Sequence, residues 1–248
     1  MIFDGKTVAK KIEEELVVLG RLEGKNLLIL QCDGTEKEST YVRLKRKMGE
    51  RLGVKIGVEH LDNKEDIKER LGRVEEDGVL VQLPILGAGR EETEEILSLI
   101  PVEKDVDGLN SRSEFKPAVV LAVLRILKIA GVPEGRRIGV VGAEGMAGRR
   151  LMRDLGAAGY SCLGFDLGDD LKGLLVCDTI VSATGVAGLI TPEMVREDVV
   201  AIDLGFPKGE FEPAVAEKAS FFTPVPGGVG PLTIVCLYEN LASVEPNP

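Results

Sequence analysis

Histidine is almost absent from this chain: among its 248 residues, His60 is the only one. With only one histidine in the chain, we set aside the usual serine or cysteine triads, which need a histidine as their base, and metal sites built from several imidazoles. Any acid–base chemistry therefore falls to Lys, Tyr, Asp or Glu. No metal site is predicted.

Cysteine is also scarce, and its four residues are scattered along the chain. No two of them form a C-x-x-C pair and none has companion histidines, so neither a disulfide framework nor a zinc site is indicated. This usage is typical of a reducing cytoplasm, where we expect the protein to reside. The cysteines are Cys32, Cys162, Cys177 and Cys236.

Long apolar runs are missing as well. The most apolar stretch, residues 119–132, is interrupted by Arg125 and Lys128, and the first six residues contain no apolar core of the kind found in signal peptides. Both features disfavour a membrane span and a secretory leader. We therefore expect no membrane partner.

Positive charge is in deficit, because 31 Lys and Arg residues face 41 Asp and Glu residues and leave a net charge of -10. Nucleic acids and anionic membranes attract basic faces, so this balance disfavours both as partners and favours a small-molecule substrate. The chain is long enough for two modest domains.

Short apolar runs alternate with stretches of helical periodicity, which predicts an α/β fold with parallel sheets covered on both faces. An irregular polar stretch at 104–110 ends near Pro117, which suits the first turn of a helix, and we place a domain boundary there. Strands are predicted at 27–31, 54–58, 78–84, 137–141, 161–165, 179–183, 199–204 and 220–223, and helices at 4–20, 38–52, 64–74, 91–100, 117–130 and 231–241, with one more after 148.

The helix predicted to begin near Glu38 carries Tyr41 and Lys45 four residues apart, which places an aromatic ring and an amine on the same side. Such a pair could hold a flat ring with a proton carrier at its edge. The plainer interpretation is that Lys45 is one of several solvated cations in a basic segment. The inward stripe is predicted to comprise Tyr41, Leu44, Met48 and Leu52.

Three glycines, Gly142, Gly145 and Gly148, lie between a predicted strand and a predicted helix. Glycines there let the backbone approach a pyrophosphate and offer it the unpaired N–H groups of the helix. The spacing G-x-x-G-x-x-G differs from the commoner G-x-G-x-x-G, so the motif needs its context. That context predicts a Rossmann-like domain that binds NAD(P).

Asp166 follows Gly142 by 24 residues, near the interval at which an acid meets the ribose hydroxyls of a dinucleotide. A carboxylate there would repel a 2'-phosphate and favours NAD over NADP. Asp166 could instead only begin the turn toward Asp169, and Arg149 or Arg150 could neutralise a phosphate, so NADP is not excluded.

Further along, Thr184 and Gly185 follow a predicted strand at the edge of the sheet where ligands bind. Glycine there commonly means only a tight turn. It would also leave room for a nicotinamide ring.

Residues 223–233, TPVPGGVGPLT, resemble one family: the bifunctional methylenetetrahydrofolate dehydrogenase and methenyltetrahydrofolate cyclohydrolase. Further pieces match in the same order: Tyr41-x-x-x-Lys45, residues 81–84, residues 104–108, the glycine loop and Asn240. The resemblance spans nearly the whole chain, although the family has Met where this chain has Leu232. The Tyr-x-x-x-Lys pattern of short-chain dehydrogenases does not apply, because there the glycine loop comes first.

The resemblance implies two lobes with the active cleft between them, and usually a homodimer. Residues 1–115 would form the folate-binding lobe, completed by a C-terminal helix at 231–248, and residues 116–230 the nucleotide-binding lobe. The implied roles are Lys45 as catalytic lysine, Gln82 as its hydrogen-bond partner, Asp107 as pterin anchor, Tyr41 as the stacking ring, and Gly228 and Pro231 along the folate wall.

The chemistry agrees with these roles. A pterin presents neighbouring N–H donors that the Asp107 carboxylate can accept. A carboxylate beside Lys45 would keep a proton on the amine, whereas the neutral amide of Gln82 can hold it without that effect, which suits a base. The plainer interpretations are that Gln82 is a surface group and that Asp107 caps its own turn.

Several departures from the family pattern bear on the cofactor and on the mouth of the cleft. Ala143 and Glu144 stand where the family has Arg and Ser, Leu86 replaces a proline, and the connector after Leu109 is short. Two alternatives therefore stay open: a cyclohydrolase without the hydride step, and a non-catalytic module that senses dinucleotides.

Overall fold

A computed structural model describes residues 1–35 and 37–245. The last three positions of the predicted C-terminal helix, 246–248, lie outside the described residues. The helices are α1 (Gly5–Leu19), α2 (Thr40–Arg51), α3 (Lys64–Leu71), α4 (Arg90–Leu97), α5 (Ala118–Ile129), α6 (Met146–Ala157), α7 (Val215–Lys218) and α8 (Val229–Ser243). The strands are β1 (Asn26–Gln31), β2 (Lys55–His60), β3 (Gly78–Gln82), β4 (Arg137–Val141), β5 (Ser161–Phe165), β6 (Thr179–Ser182), β7 (Val200–Asp203) and β8 (Phe221–Phe222). Short 3-10 helices at Leu171–Val176 and Pro192–Met194 were not predicted.

The first sheet has three parallel strands in the order β2-β1-β3. Its central strand β1 is buried along residues 27–31, because parallel strands are covered on both faces. The carboxyl ends of β1 and β3 lie side by side, with Gln31 paired to Gln82. Side chains just beyond these ends therefore meet at one edge of the sheet.

The second sheet has five parallel strands in the order β5-β4-β6-β7-β8. The chain order reverses between β5 and β6 on either side of β4, and in such sheets this is where ligands bind. The predicted α/β class with parallel sheets is confirmed. No helix in residues 1–35 and 37–245 has the length and apolarity needed to cross a bilayer.

Packing groups the described residues into two compact units. One comprises residues 11–118 with 234–245 and contains the three-stranded sheet; the other comprises Met1–Lys10 and Val119–Thr233 and contains the five-stranded sheet. The first ten residues join the second sheet because Ile2 bridges to Phe222 and the Phe3 ring lies 5.3 Å from the ring of Phe221. The functional limits at 115 and 230 stay a prediction.

The buried face of α2 differs from the predicted stripe. Leu44 is 44% exposed, whereas Lys45 is 6% exposed, so both the predicted position of Leu44 and the interpretation of Lys45 as solvated are wrong. The cause is α8: the Tyr238 hydroxyl donates to the Lys45 carbonyl at 2.6 Å and packs where a Cβ on Gly49 would stand. This contact turns the Lys45 face of α2 inward.

Candidate active site

Lys45, Gln82 and Asp107 meet at one point in the first unit. The Lys45 Nζ donates to Asp107 Oδ2 at 3.1 Å and to Gln82 Oε1 at 3.4 Å. The Lys45 and Asp107 side chains are only 7% and 13% exposed, so this ion pair is largely shielded from water. The structure therefore brings together all three residues that the sequence assigned to catalysis.

Gln82 is the last residue of β3, and its amide is fixed in orientation. The Nε2 donates to the Leu83 carbonyl at 3.0 Å, which leaves Oε1 toward the Lys45 amine. The expectation of a neutral amide beside the amine is met, and the Asp107 carboxylate lies beside the amine as well. Asp107 reaches Lys45 because the loop after α4 returns to the first sheet, where Asp105 bridges to Val79 of β3.

The loop that carries Asp107 is held by Asp105, a residue that the sequence analysis missed. The fully buried Asp105 carboxylate accepts the backbone N–H groups of Leu109 at 3.1 Å and Asn110 at 2.7 Å. Burial raises the pKa of Asp105 to about 6, although those two N–H groups act to lower it. Asp105 therefore caps this turn, which leaves the Asp107 carboxylate to Lys45.

Asn240 secures the same loop from α8. Its Nδ2 donates to the Val106 carbonyl at 2.9 Å and to the Lys116 carbonyl at 3.1 Å. Gly108 is required here, because its φ is +66° and a Cβ would lie 2.6 Å from the nitrogen of Pro117. The last helix thus fixes the backbone on both sides of Asp107.

The start of α2 is positioned by the buried amide of Gln31, a further residue that the sequence analysis missed. Gln31 donates to Asp33 Oδ2 at 3.0 Å and to the Lys37 carbonyl at 2.9 Å, and it accepts the Ser39 N–H at 3.1 Å. Ser39 in turn caps α2 by accepting the Val42 N–H at 3.2 Å. A polar residue at the end of an otherwise apolar strand was the available signal.

Tyr41 lies one turn before Lys45 and is partly buried. Burial raises the pKa of its phenol, and the negative charge of Asp107 raises it further. The phenol therefore stays protonated at neutral pH.

The glycine loop joins β4 to α6. Gly142 has a φ of +81°, the N–H of Gly145 donates to the Gly142 carbonyl at 2.9 Å, and a Cβ on Gly148 would overlap that same carbonyl. A Cβ at any of these positions would crowd the backbone of the loop itself or of the turn after β6, so glycine lets the loop pack closely at the helix start. The three glycines thus fit the predicted role of a cradle for a pyrophosphate.

Beside this loop lies a pocket of about 380 Å³ whose lining includes Glu144, Arg149, Asp166 and Asp169. Asp166 Oδ2 accepts the Glu144 N–H at 2.7 Å, while the Asp166 N–H donates to Asp169 at 2.7 Å. Asp166 therefore takes part in the turn toward Asp169 and also lines the pocket.

The two arginines of the loop have protein partners. Arg149 pairs with the Glu144 carboxylate at 2.8 Å, and the Arg150 guanidinium donates to the Met146 carbonyl at 2.8 Å within α6. Arg149 lines the pocket, and Arg150 is buried against its own helix.

Thr184 and Gly185 form the turn after β6, next to the glycine loop. A Cβ on Gly142 would lie 2.7 Å from the Ala183 carbonyl oxygen. The turn is bonded to Glu210, which the sequence analysis also missed.

Gly228 and Pro231 belong to the second unit, which also carries the glycine loop. Gly228 precedes α8 and packs so closely that a Cβ would lie 2.7 Å from the Pro224 carbonyl, and Pro231 lies in the first turn of α8. Their roles along a folate wall stay a prediction.

Within residues 1–35 and 37–245, no group of three or more His, Cys, Asp or Glu side chains is arranged to hold a metal ion.

Two family descriptions match the chain: "Tetrahydrofolate dehydrogenase/cyclohydrolase, catalytic domain" at residues 3–107, and the NAD(P)-binding domain of the same family at residues 117–246. The chain is 34% identical to the Bifunctional protein FolD of Aquifex aeolicus over 97% of this chain and 93% of that protein.

Solved structures of the same family resemble this chain along nearly its whole length. A bifunctional FolD methylenetetrahydrofolate dehydrogenase/cyclohydrolase from Campylobacter jejuni matches with a TM-score of 0.88 and 30% identity, covering 98% of both chains. The Trypanosoma brucei enzyme, complexed with NADP and an inhibitor, matches with a TM-score of 0.86 and 28% identity, covering 97% of this chain and 95% of that one. This chain therefore belongs to the tetrahydrofolate dehydrogenase/cyclohydrolase family.

Proposed function

We propose that the protein oxidises 5,10-methylenetetrahydrofolate with NAD(P)+ and then hydrolyses the resulting 5,10-methenyl cation to 10-formyltetrahydrofolate. The observation that carries the proposal is the shielded contact of Lys45 with both Asp107 and Gln82, in a chain that also has a glycine cradle for a dinucleotide. Relatives named as bifunctional enzymes support both reactions.

In the first reaction, a C–H bond of the one-carbon bridge breaks and its hydrogen leaves with the electron pair. A bound nicotinamide supplies the acceptor, and the folate becomes a cation. The contribution of this chain is to position the reactants. Gly142, Gly145 and Gly148 would accommodate the pyrophosphate, and the turn at Thr184 and Gly185 would support the nicotinamide ring.

In the second reaction, water adds to the cationic carbon and a ring nitrogen regains its lone pair as the C–N bond breaks. Asp107 accepts N–H donors of the pterin, which draws its carboxylate toward the substrate. Lys45 then remains held by Gln82 and exchanges a proton with the attacking water and the leaving nitrogen. The positive substrate disfavours a second cation nearby, which assists release of the lysine proton.

The other predicted residues complete the proposed site. Tyr41 stacks on the folate from the same side of α2 as Lys45, and Gly228 and Pro231 line the folate wall. We assign residues 1–115, with the C-terminal helix, to folate binding and residues 116–230 to the dinucleotide.

For the cofactor we favour NAD over NADP. A 2'-phosphate in the pocket would face the carboxylates of Asp166 and Asp169, and the pairing of Arg149 with Glu144 offsets the nearby cation.

We further propose that the protein is a cytoplasmic homodimer. The resemblance supports the dimer, and the four free cysteines support the cytoplasmic location. Light scattering on the purified protein tests the dimer.

The function is tested by supplying methylenetetrahydrofolate with NAD+ or NADP+ and following reduced nucleotide, then supplying methenyltetrahydrofolate alone. Both reactions are expected. Ala143 and Glu144, in place of the family's Arg and Ser, favour one alternative, a cyclohydrolase without the hydride step. Formation of reduced nucleotide excludes that alternative, and turnover of methenyltetrahydrofolate excludes a non-catalytic sensor.

A further inference from the structure

A buried carboxylate lies under the turn that follows β6. Glu210 is 2% exposed and comes from the connection between β7 and α7. Its Oε2 accepts the Thr184 N–H at 2.8 Å and the Thr184 hydroxyl at 2.7 Å, and its Oε1 accepts the Gly185 N–H at 2.7 Å. The Ser182 hydroxyl also donates to Oε2. Four donors of one turn thus converge on one side chain.

Glu210 is itself fixed in place by Asp203, the last residue of β7. The Asp203 Oδ2 accepts the N–H groups of Glu210 at 2.8 Å and Phe211 at 3.2 Å, and its Oδ1 accepts that of Gly205 at 2.8 Å. Burial raises the pKa of Asp203, the three N–H groups oppose this, and the charge of Glu210 adds to it. The carbonyl of Glu210 also accepts the Ile190 N–H at 3.0 Å.

Closing the turn with two buried carboxylates carries a large desolvation penalty. In residues 1–35 and 37–245, neither Asp203 nor Glu210 has an ion-pair partner, and buried charges without a cation cost free energy that only aligned donors offset. An apolar core beneath the turn would be simpler. The acids instead fix the backbone at Thr184 and at Gly185, where φ is +73°.

The turn adjoins the glycine loop, because a Cβ on Gly142 would lie 2.7 Å from the Ala183 carbonyl. The turn therefore lies at the same strand ends as the loop that would hold the pyrophosphate of a dinucleotide. If the nicotinamide ring of a bound dinucleotide rests on this turn, a rigid turn would help to hold the transferred hydrogen close to its acceptor carbon, on which the rate of hydride transfer depends.

We propose that Glu210 is a positioning residue for hydride transfer, acting through the turn at Ser182, Thr184 and Gly185 on which the nicotinamide ring rests. This inference rests on the proposed dehydrogenase function. The C–H bond of the folate breaks, the hydrogen and its electron pair form a bond to the nicotinamide ring, and Glu210 neither gains nor loses a proton. It is not needed for hydrolysis, which requires no nucleotide.

The test compares Glu210→Gln with Glu212→Gln, a matched change at an exposed position two residues on. In Glu210→Gln, one acceptor becomes a donor that faces N–H groups. We expect the Kd for NAD+ alone, measured by calorimetry, to rise about tenfold or more, and the dehydrogenase kcat/KM to fall at least as far. Cyclohydrolase turnover should stay within about twofold of wild type. Glu210→Asp, which keeps both acceptor oxygens, should recover part of the loss.

Unchanged NAD+ affinity and dehydrogenase kinetics in Glu210→Gln would overturn the inference. So would a parallel fall of both activities with thermal stability, because that is the result of a purely structural role. If Glu210→Gln does not fold, Ser182→Ala is the test, because it removes one of the donors to Glu210. A loss of activity confined to the dehydrogenase reaction supports the positioning role of Glu210. No loss of dehydrogenase activity overturns it. If wild type forms no reduced nucleotide but Glu210→Gln still weakens NAD+ binding, the proposed function fails and the support of the turn stands.

Discussion

The ammonium group of Lys45 lies 3.1 Å from a carboxylate oxygen of Asp107, and both side chains are largely shielded from water. Under the proposed function, the same carboxylate would also accept the N–H donors of the pterin, so one acid would serve both the lysine and the substrate. Such an exchange of partners would link substrate binding to the surroundings of the Lys45 amine.

Replacing Asp107 tests this link. Asp107→Asn keeps the size of the side chain but loses the charge and one acceptor, so the KM for both folates should rise by about 10-fold to 100-fold. Initial rates over a range of methylene- and methenyltetrahydrofolate measure this. Glu103→Gln, an exposed carboxylate in the same connection, is the matched control. Unchanged KM values in Asp107→Asn would remove it as the anchor.

The stability of the Asp107 loop should depend on pH through Asp105. Burial raises the pKa of Asp105 from 3.8 to about 6, so its contribution to stability is fully present below about 3.8 and is lost as the pH rises through about 6. Between pH 5 and 7.5, the unfolding free energy of wild type should therefore fall relative to that of Asp105→Asn by on the order of 1 kcal/mol.

Urea unfolding at both pH values measures this difference. Exposed Asp62→Asn serves as control, and its difference from wild type should not follow the same trend. If Asp105→Asn and wild type changed in parallel between the two pH values, the raised pKa would be refuted.

Much of the fold could be predicted from the sequence because parallel strands buried on both faces appear as apolar runs. Which face of α2 is buried could not be predicted, since the spacing of Tyr41, Leu44 and Met48 is that of a buried helix stripe although Leu44 is exposed. What decides is Tyr238, nearly two hundred residues further on, whose hydroxyl packs against Gly49 and bonds to Lys45. Local periodicity contains no record of that contact.

For the site, the sequence likewise predicted the principal residues but not the contacts that hold them in place. Motif order located Lys45, Gln82 and Asp107, but not that Asp105 caps the turn or that Asp107 contacts the amine. Glu210 was missed because its partners, Ser182 and Thr184, lie on a different strand connection. Buried carboxylates satisfied by distant backbone groups resemble ordinary surface acids in a sequence.

Asp166 gives a prediction about the cofactor. Because its carboxylate lines the pocket beside the glycine loop, Asp166→Ser removes a charge that would repel a 2'-phosphate. The ratio of kcat/KM for NAD+ to that for NADP+ should fall by about tenfold or more. Asp170→Ser, at a neighbouring exposed position, should leave the ratio unchanged. Wild-type protein that already prefers NADP+ would show that the ribose argument is wrong.

The most direct test of the account is the hydrolysis of methenyltetrahydrofolate by Lys45→Met, with calorimetric binding of tetrahydrofolate in the same preparation and exposed Lys47→Met as control. Methionine fills the space of lysine but exchanges no proton, so turnover should fall by at least about a hundredfold while folate still binds. Lys47→Met should behave as wild type. Full turnover in Lys45→Met would contradict the central claim that this amine manages the proton of the hydrolytic step.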